Sequence, residues 1–231
     1  MKVLTIIGTP HRGNTRDIVD LFLNEFKDDK NEFDEIVIPT DFNEICYGCA
    51  NCILKGEDKC PHYNKINPII NKIEEADLII LASPVFVGSC SGGIKVFLDH
   101  LAYMWLVHRP KASMFKKVGL IITSAGGSGV KDTVKLLKKN LFYWGVPNIF
   151  NYGVTTLKMG GNYSEYKDKN KIQKQVNKKA KQVKKALVKR KVGFKTKFFF
   201  KLFGMTQSKG WNKADVDYWK ETGWLNGKKP F

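Results

Sequence analysis

Residues 77–93, DLIILASPVFVGSCSGG, decide the fold class. The run Asp77–Ser83 is continuously apolar between its ends, as expected of a strand that is covered on both faces of a sheet. A loop rich in glycine and serine follows it and leads into a helical pattern from about Gly92 to Tyr103. A buried strand followed by a crossover helix is the repeating unit of a parallel sheet, so this stretch predicts an α/β fold.

The same alternation of strand and helix extends in both directions from this stretch. The predicted strands are Lys2–Gly8, Glu35–Pro39, Asp77–Ser83, Val118–Thr123 and Asn148–Thr155. The predicted helices are Asn14–Lys27, Asn64–Glu75, Gly92–Tyr103, Val130–Trp144 and Ser164–Arg190. Right-handed crossovers then give a doubly wound, five-stranded parallel sheet in the order 2-1-3-4-5. Such a sheet binds ligands at the carboxyl ends of strands 1, 3 and 4.

The charge of the chain is unevenly distributed. The chain carries 39 Lys and Arg against 22 Asp and Glu, a net charge of +17. Residues 168–231 hold 19 basic and 4 acidic residues (+15), whereas residues 1–167 hold 20 and 18 (+2). We therefore expect a nearly neutral domain over residues 1–190 and a basic, aromatic, helical C-terminal extension over residues 191–231. Because the excess charge lies outside the domain, nucleic acid is not an expected partner.

The extension contains GFKTKFFFKLFGM, residues 193–205, in which lysine and phenylalanine are interleaved. Two interpretations are open. One is a strap against a neighbouring subunit, with aromatic anchors at Trp211, Tyr218, Trp219 and Trp224. The other is peripheral contact with an anionic membrane surface. The strap is favoured, because the lipid interpretation requires phenylalanines that are exposed in the free protein.

Three loops follow predicted strands 1, 3 and 4. The first, TPHRGNT (9–15), has small hydroxyl residues and a glycine just before a helix, which suits an anion because free backbone N–H groups and the positive end of the helix dipole converge there. Taken alone, it is also compatible with an ordinary capping turn. The second and third, SPVFVGSCSGG (83–93) and TSAGGSG (123–129), are rich in Gly and Ser. All three meet at one edge of the predicted sheet, which favours a ligand cleft.

Together, TPHRGNT, SPVFVGSCSGGIKVFLD and TSAGGSG resemble the three flavin-contacting loops of the flavodoxin-like NAD(P)H-dependent FMN reductases. The resemblance implies a flavodoxin-like fold, bound FMN, NAD(P)H as co-substrate, an unidentified small-molecule or protein electron acceptor, and a homodimer or homotetramer. It implies no catalytic side chain, since the flavin carries the chemistry. The phosphate loop is one residue shorter than the family's commonest form, so either His11 or Arg12 faces the phosphate. The implied FMN contacts are Thr9, His11, Arg12, Asn14, Thr15, Pro84, Val85, Phe86, Val87, Gly88, Ser124, Gly126 and Gly127.

Four of the five cysteines lie in CYGCANCILKGEDKC, residues 46–60. The spacing of Cys46, Cys49 and Cys52 is typical of [4Fe–4S] ligands, with Cys60 as the fourth; a zinc site and a metal-free loop are the alternatives. The segment also resembles the cysteine motif of the iron–sulfur flavoproteins. That resemblance implies an alternative function, an electron carrier with a [4Fe–4S] cluster and no nicotinamide activity. An acidic pair usually follows the last cysteine in that family, whereas this chain has Pro61 and His62.

The remaining histidines, His62, His100 and His108, are expected to be polar loop or helix residues. The first residues, MKVLTIIGTPHRGNT, lack the pattern of a signal peptide, which favours a cytoplasmic protein with reduced thiols.

Overall fold

The central sheet of the computed structural model has five parallel strands and one short antiparallel strand. The strands are β1 (Lys2–Ile7), β2 (Glu32–Val37), β3 (Leu78–Phe86), β4 (Ser89–Cys90), β5 (Val118–Ala125) and β6 (Asn148–Thr155). The parallel strands lie in the order β2-β1-β3-β5-β6, which is the predicted order 2-1-3-4-5 when the short β4 is set aside. The structure describes residues 1–156 and 168–231.

Eight α-helices lie within the described residues. They are α1 (Asn14–Phe26), α2 (Asn51–Leu54), α3 (Tyr63–Glu75), α4 (Gly92–His100), α5 (Val130–Tyr143), α6 (Lys169–Lys189), α7 (Phe194–Ser208) and α8 (Lys213–Glu221). Helix α4 ends at His100, and Ala102–Met104 continues the predicted helix as a 3-10 turn. The predicted start of α6 at Ser164 lies outside the described residues. None of the helices in the two described ranges is long and apolar enough to cross a membrane.

Both faces of the sheet are buried, as the apolar run at Asp77–Ser83 predicts. Ile79 and Leu81 of β3 join a core with α3, α4 and α5, whereas Leu78 and Ile80 join a second core with α1 and α6. Helix α6 buries the predicted stripe of Ile172, Val176, Ala180, Val183 and Leu187. Because burial of each large aliphatic side chain contributes about 1.5–3 kcal/mol, these two cores hold the sheet edge in a fixed position.

The C-terminal extension packs against its own chain. Phe200, Trp219 and Trp224 form a third core with Leu106 and Phe115 of the domain. The side chains of Gln207, Tyr218 and Trp219 donate hydrogen bonds to the backbone carbonyls of Val107, Pro110 and His108, respectively. Two of the predicted strap anchors, Trp219 and Trp224, are therefore buried within the chain. A strap onto a neighbouring subunit stays a prediction.

Candidate functional site

The three loops predicted to hold a ligand enclose one cleft at the carboxyl edge of the sheet, with a volume of about 580 Å³. All thirteen predicted contact residues line this cleft. The cleft is also lined by Gly13, Ala125 and Ser128, which the sequence reasoning missed. These three lie inside the same loops, so taking each loop as a continuous segment identifies them.

The first loop presents free donors to the cleft. Helix α1 begins at Asn14, and no described side chain caps it at Gly13. The N–H groups of its first turn have no partner within the helix, and they lie at the positive end of the helix dipole. Asn14 Oδ1 is buried with no hydrogen-bond partner among the described residues, but it is an acceptor and therefore suits a donor rather than an anion. The backbone N–H groups at the start of α1 are the groups that an anion would satisfy.

His11 and Arg12 differ in their surroundings. Both line the cleft, and both are exposed. Arg12 Nη1 lies 3.2 Å from Asp20 Oδ2 on α1, whereas the backbone N–H of His11 donates to Thr9 Oγ1 at 3.3 Å. Part of the charge of Arg12 is thus already balanced by a neighbouring carboxylate.

The second loop contains a hairpin that the sequence did not predict. Strand β4 pairs antiparallel with the end of β3 through Val85–Cys90 and Phe86–Ser89. The two turn residues, Val87 and Gly88, have φ values of 46° and 76°. Two-residue hairpin turns require positive φ, but a β-branched residue is strained there. The turn leaves Phe86 and Val87 exposed at the rim of the cleft, and such strain is commonest at functional sites.

The third loop lies close to the hairpin and to the first loop. At Gly129, which has φ +93°, a Cβ atom would stand 2.6 Å from Val85 Cγ1, so only glycine allows this approach. At Gly127, by contrast, no described atom lies within 4 Å of the Cβ position. Thr15 and Ser124 connect the first and third loops through a buried hydroxyl hydrogen bond of 2.6 Å.

These features fit FMN, the cofactor that the resemblance implies. The uncapped start of α1 suits a phosphate group, because the N–H groups of its first turn lack a partner within the helix. The open space at Gly127 and the apolar rim at Phe86 and Val87 suit a flat, largely apolar ring system.

The four thiols of the cysteine loop, residues 46–60, are near enough for Cys60, Cys46 and Cys49 to act electrostatically on Cys52, but the described residues do not bring the four sulfurs together as one set of metal ligands. Cys49 is exposed, and Cys46, Cys52 and Cys60 are half-buried. Burial, together with the neighbouring thiols of Cys60, Cys46 and Cys49, raises the pKa of Cys52 to about 11. Gly48, between the first two cysteines, has φ +66°, a left-handed conformation that favours glycine. Four thiolates are a donor set that suits an iron–sulfur cluster or zinc, although the described residues do not bring all four sulfurs together here.

Two histidines lie beside the last cysteine, an arrangement that the sequence reasoning missed. The ligand atoms of Cys60, His62 and His100 lie within 4.8 Å of one another. His62 Nδ1 is 2.9 Å from His100 Nε2, and His100 Nδ1 is 2.9 Å from the carbonyl oxygen of Val96. Burial lowers the pKa of His100. The spacing Cys60-Pro61-His62 is the only signal in the sequence, whereas His100 comes from a separate helix.

A second set of missed residues anchors the cysteine loop from outside. The guanidinium of Arg109 donates to the carbonyl oxygens of Cys52 and Ile53, the latter at 3.0 Å. The same guanidinium pairs with Asp215 of α8, whose side chain is fully buried. Asn212, the N-cap of α8, also donates to the carbonyl of Ile53, at 2.8 Å. The C-terminal extension and the cysteine loop are therefore directly connected.

Comparison with protein families matches residues 1–157 to the NADPH-dependent FMN reductase family. Among curated proteins, an iron–sulfur flavoprotein of Archaeoglobus fulgidus is 29% identical over 147 residues, which cover 63% of this chain and 64% of that protein. An iron–sulfur flavoprotein of Methanocaldococcus jannaschii is 38% identical over 100 residues, which cover 43% of this chain and 51% of that protein. The chain thus spans between about half and two thirds of the length of these relatives.

Solved structures share the fold. The NAD(P)H:quinone oxidoreductase from Methanothermobacter marburgensis superposes with a TM-score of 0.60 at 15% identity, over 81% of this chain and 96% of that chain. At this identity the similarity establishes a common arrangement of strands and helices. It agrees with the parallel sheet described above.

Proposed function

The chain belongs to the NADPH-dependent FMN reductase family, and we propose that it is an oxidoreductase that moves electrons from NADH or NADPH through bound FMN to a small-molecule or protein acceptor. The observation that carries this proposal is the cleft, where all thirteen residues implied as FMN contacts meet. Their convergence from three separate loops is hard to explain by turn formation alone.

Each loop has a separate task in the proposed site. The free N–H groups at the start of α1, with Thr9, Asn14 and Thr15, hold the phosphate. The hairpin at Pro84–Gly88 and the glycines of the third loop flank the ring, and the exposed Phe86 limits access of water to it. FMN, when bound, supplies the hydride and electron chemistry, so the protein contributes binding and orientation.

An anaerobic absorption spectrum, recorded before and after one equivalent of NADPH or NADH, tests the proposal. We expect the two visible flavin bands in the protein as purified or after reconstitution with FMN, and their bleaching by one of the two nicotinamides. A protein that stays colourless after incubation with FMN would contradict the proposal at the level of the cofactor. A flavin that neither nicotinamide bleaches would contradict NADH and NADPH as the electron donors.

A second candidate function is an iron–sulfur flavoprotein that acts as an electron carrier without nicotinamide activity. The presence of four cysteines on one short loop supports it, as do the curated relatives with that description. In this case Cys46, Cys49, Cys52 and Cys60 would hold a [4Fe–4S] cluster. Iron and acid-labile sulfide, assayed on the same anaerobic sample, should then reach about four of each per chain. Their absence, with bleaching by NADPH, favours the plain reductase.

We also propose that the protein works in the cytoplasm as a homodimer or homotetramer. The exposed Phe86 and Val87 at the cleft rim support assembly, since exposed apolar side chains beside a cofactor site are typical of subunit contacts. Light scattering on the purified protein measures the mass directly. A monomer at micromolar concentration would contradict the assembly.

A further inference from the structure

Helix α7 has two apolar faces. The inner face packs on the domain: Phe200 joins the third core, Phe199 and Phe203 pack against it, and the polar Thr196 and Gln207 are buried beside them. The opposite face is exposed to solvent although it is also apolar. Its stripe consists of Phe194, Phe198, Leu202 and Met205, which are between 38% and 83% exposed. These positions are spaced at i, i+4, i+8 and i+11, so they form one continuous row along the helix.

Positive charge borders this outer stripe. At 3.6 residues per turn, Lys195 falls on one side of the row, and Lys197 and Lys201 fall on the other. All three are exposed, as is Lys209 in the residue after the helix. No acidic residue occurs between Asp168 and Asp215 to balance them. Trp211, which is also exposed, adds an aromatic ring just beyond the end of the helix.

The combination of an apolar stripe and flanking lysines restricts which kind of partner can bind there. A second copy of the chain, related by a two-fold axis, would bring two patches of the same positive charge together, because such an interface pairs a patch with itself. A nucleic acid supplies negative charge, and its bases stack on aromatic rings, but it offers no apolar partner for Leu202 and Met205. An anionic phospholipid surface supplies both, since its headgroups attract lysine and its acyl boundary accepts apolar side chains.

We propose that the outer face of α7 docks on an anionic phospholipid membrane surface, with the apolar row at the acyl boundary and the flanking lysines at the headgroups. The condition for this interpretation, phenylalanines exposed in the free protein, is met by Phe194 and Phe198. The inner face of the same helix stays on the domain, so the contact needs no unfolding of the extension. The inference is independent of the flavin, because no residue of α7 lines the cofactor cleft.

Co-sedimentation of the full-length protein with sucrose-loaded vesicles tests the proposal. We expect binding to vesicles of phosphatidylcholine mixed with phosphatidylserine, little binding to phosphatidylcholine alone, and weaker binding at high salt. Phe198→Ser and Lys201→Glu should each weaken binding by about tenfold. Both residues are exposed, so circular dichroism should show that the variants fold normally.

Matched controls lie elsewhere on the surface. Val188→Ser removes another exposed apolar side chain, on α6, and Lys138→Glu makes the same charge change on α5. Both should bind vesicles as the unmodified protein does. The proposal is overturned if anionic vesicles do not bind the protein, or if the controls lose as much binding as Phe198→Ser and Lys201→Glu. It is also overturned if Phe198→Ser halves the mass measured by light scattering, which would assign the stripe to a second copy.

Discussion

The cofactor cleft and the cysteine loop belong to one chain but are held in position by different means. The loops of the cleft continue directly from β1, β3 and β5, so the sheet sets their positions; Pro84 and Ser124, for example, are register partners. The cysteine loop follows the edge strand β2, and its Cys52–Ile53 backbone is fixed by Arg109, which in turn pairs with Asp215 near the other end of the chain.

This difference has a consequence for stability and for design. A site that extends from a sheet is as stable as the core beneath it. A site fixed by a buried ion pair depends on both partners, because removing one leaves an uncompensated charge. Four measurements distinguish the two regions, from the largest expected effect to the smallest.

Asp215→Asn should have the largest effect. Removing one partner of a buried pair costs about 3–5 kcal/mol, since the buried charge of Arg109 then keeps only the partly exposed Glu57, 3.3 Å from its Nε. Urea denaturation measures the loss in free energy of unfolding, and hydrogen exchange should rise at residues 46–60 more than at the cleft loops. Asp217→Asn is the control, because Asp217 pairs with Lys213 on the surface and should contribute at most about 1 kcal/mol. Equal losses from both variants would show that the buried pair does not hold the loop.

The thiols of the metal-free protein should differ in reactivity by about a hundredfold. Cys49 is exposed, whereas burial and neighbouring thiols raise the pKa of Cys52 to about 11. At pH 8 roughly one Cys52 in a thousand is then a thiolate, which is the form that reacts. Alkylation of Cys52 should accelerate as the pH rises towards 11, and mass spectrometry of labelled peptides follows each site. Comparable alkylation rates of Cys49 and Cys52 at pH 8 would contradict the burial of Cys52.

Filling the open space at Gly127 should weaken FMN binding and leave the fold intact. Gly127→Val places a side chain where no described atom lies within 4 Å, so we expect at least about a tenfold rise in the dissociation constant, or about 1.4 kcal/mol. Gly193→Val is the control, as Gly193 has similar space outside the cleft. Flavin fluorescence titration gives both affinities. An unchanged FMN affinity in the Gly127→Val variant would show that the flavin ring does not lie beside Gly127.

The smallest effect is expected at the hydroxyl bond between the first and third loops. Ser124→Ala leaves Thr15 Oγ1 without its partner and should cost about 1 kcal/mol of unfolding free energy. Ser208→Ala removes an exposed hydroxyl, bonded to the carbonyl of Met205, and should cost little. Thermal unfolding of the two variants checks the difference. Identical melting temperatures would indicate that water replaces the buried bond.

Much of the fold and of the cleft was predictable because the signals are local. The strands β1, β3 and β5 are short apolar runs, and the right-handed crossover rule limits the order in which the parallel strands pair. The loops that form the cleft follow these runs directly, so their convergence follows from the direction of the strands. The stripe of α6 is equally local, since its buried residues recur about every 3.6 residues along the sequence.

Only the tertiary structure decided the other features, and each has a physical reason. Val87 has a positive φ in the hairpin, which a β-branched residue rarely adopts, so the sequence does not predict a turn there. His62 meets His100, and Arg109 meets Asp215, through contacts between distant segments that no spacing along the chain encodes. Helix α7 is apolar on both sides, so its periodicity cannot distinguish the face that packs on the domain from the face left exposed. Phe200 stacks on Trp219, and this contact fixes the Phe200 side of α7 as the side that packs on the domain.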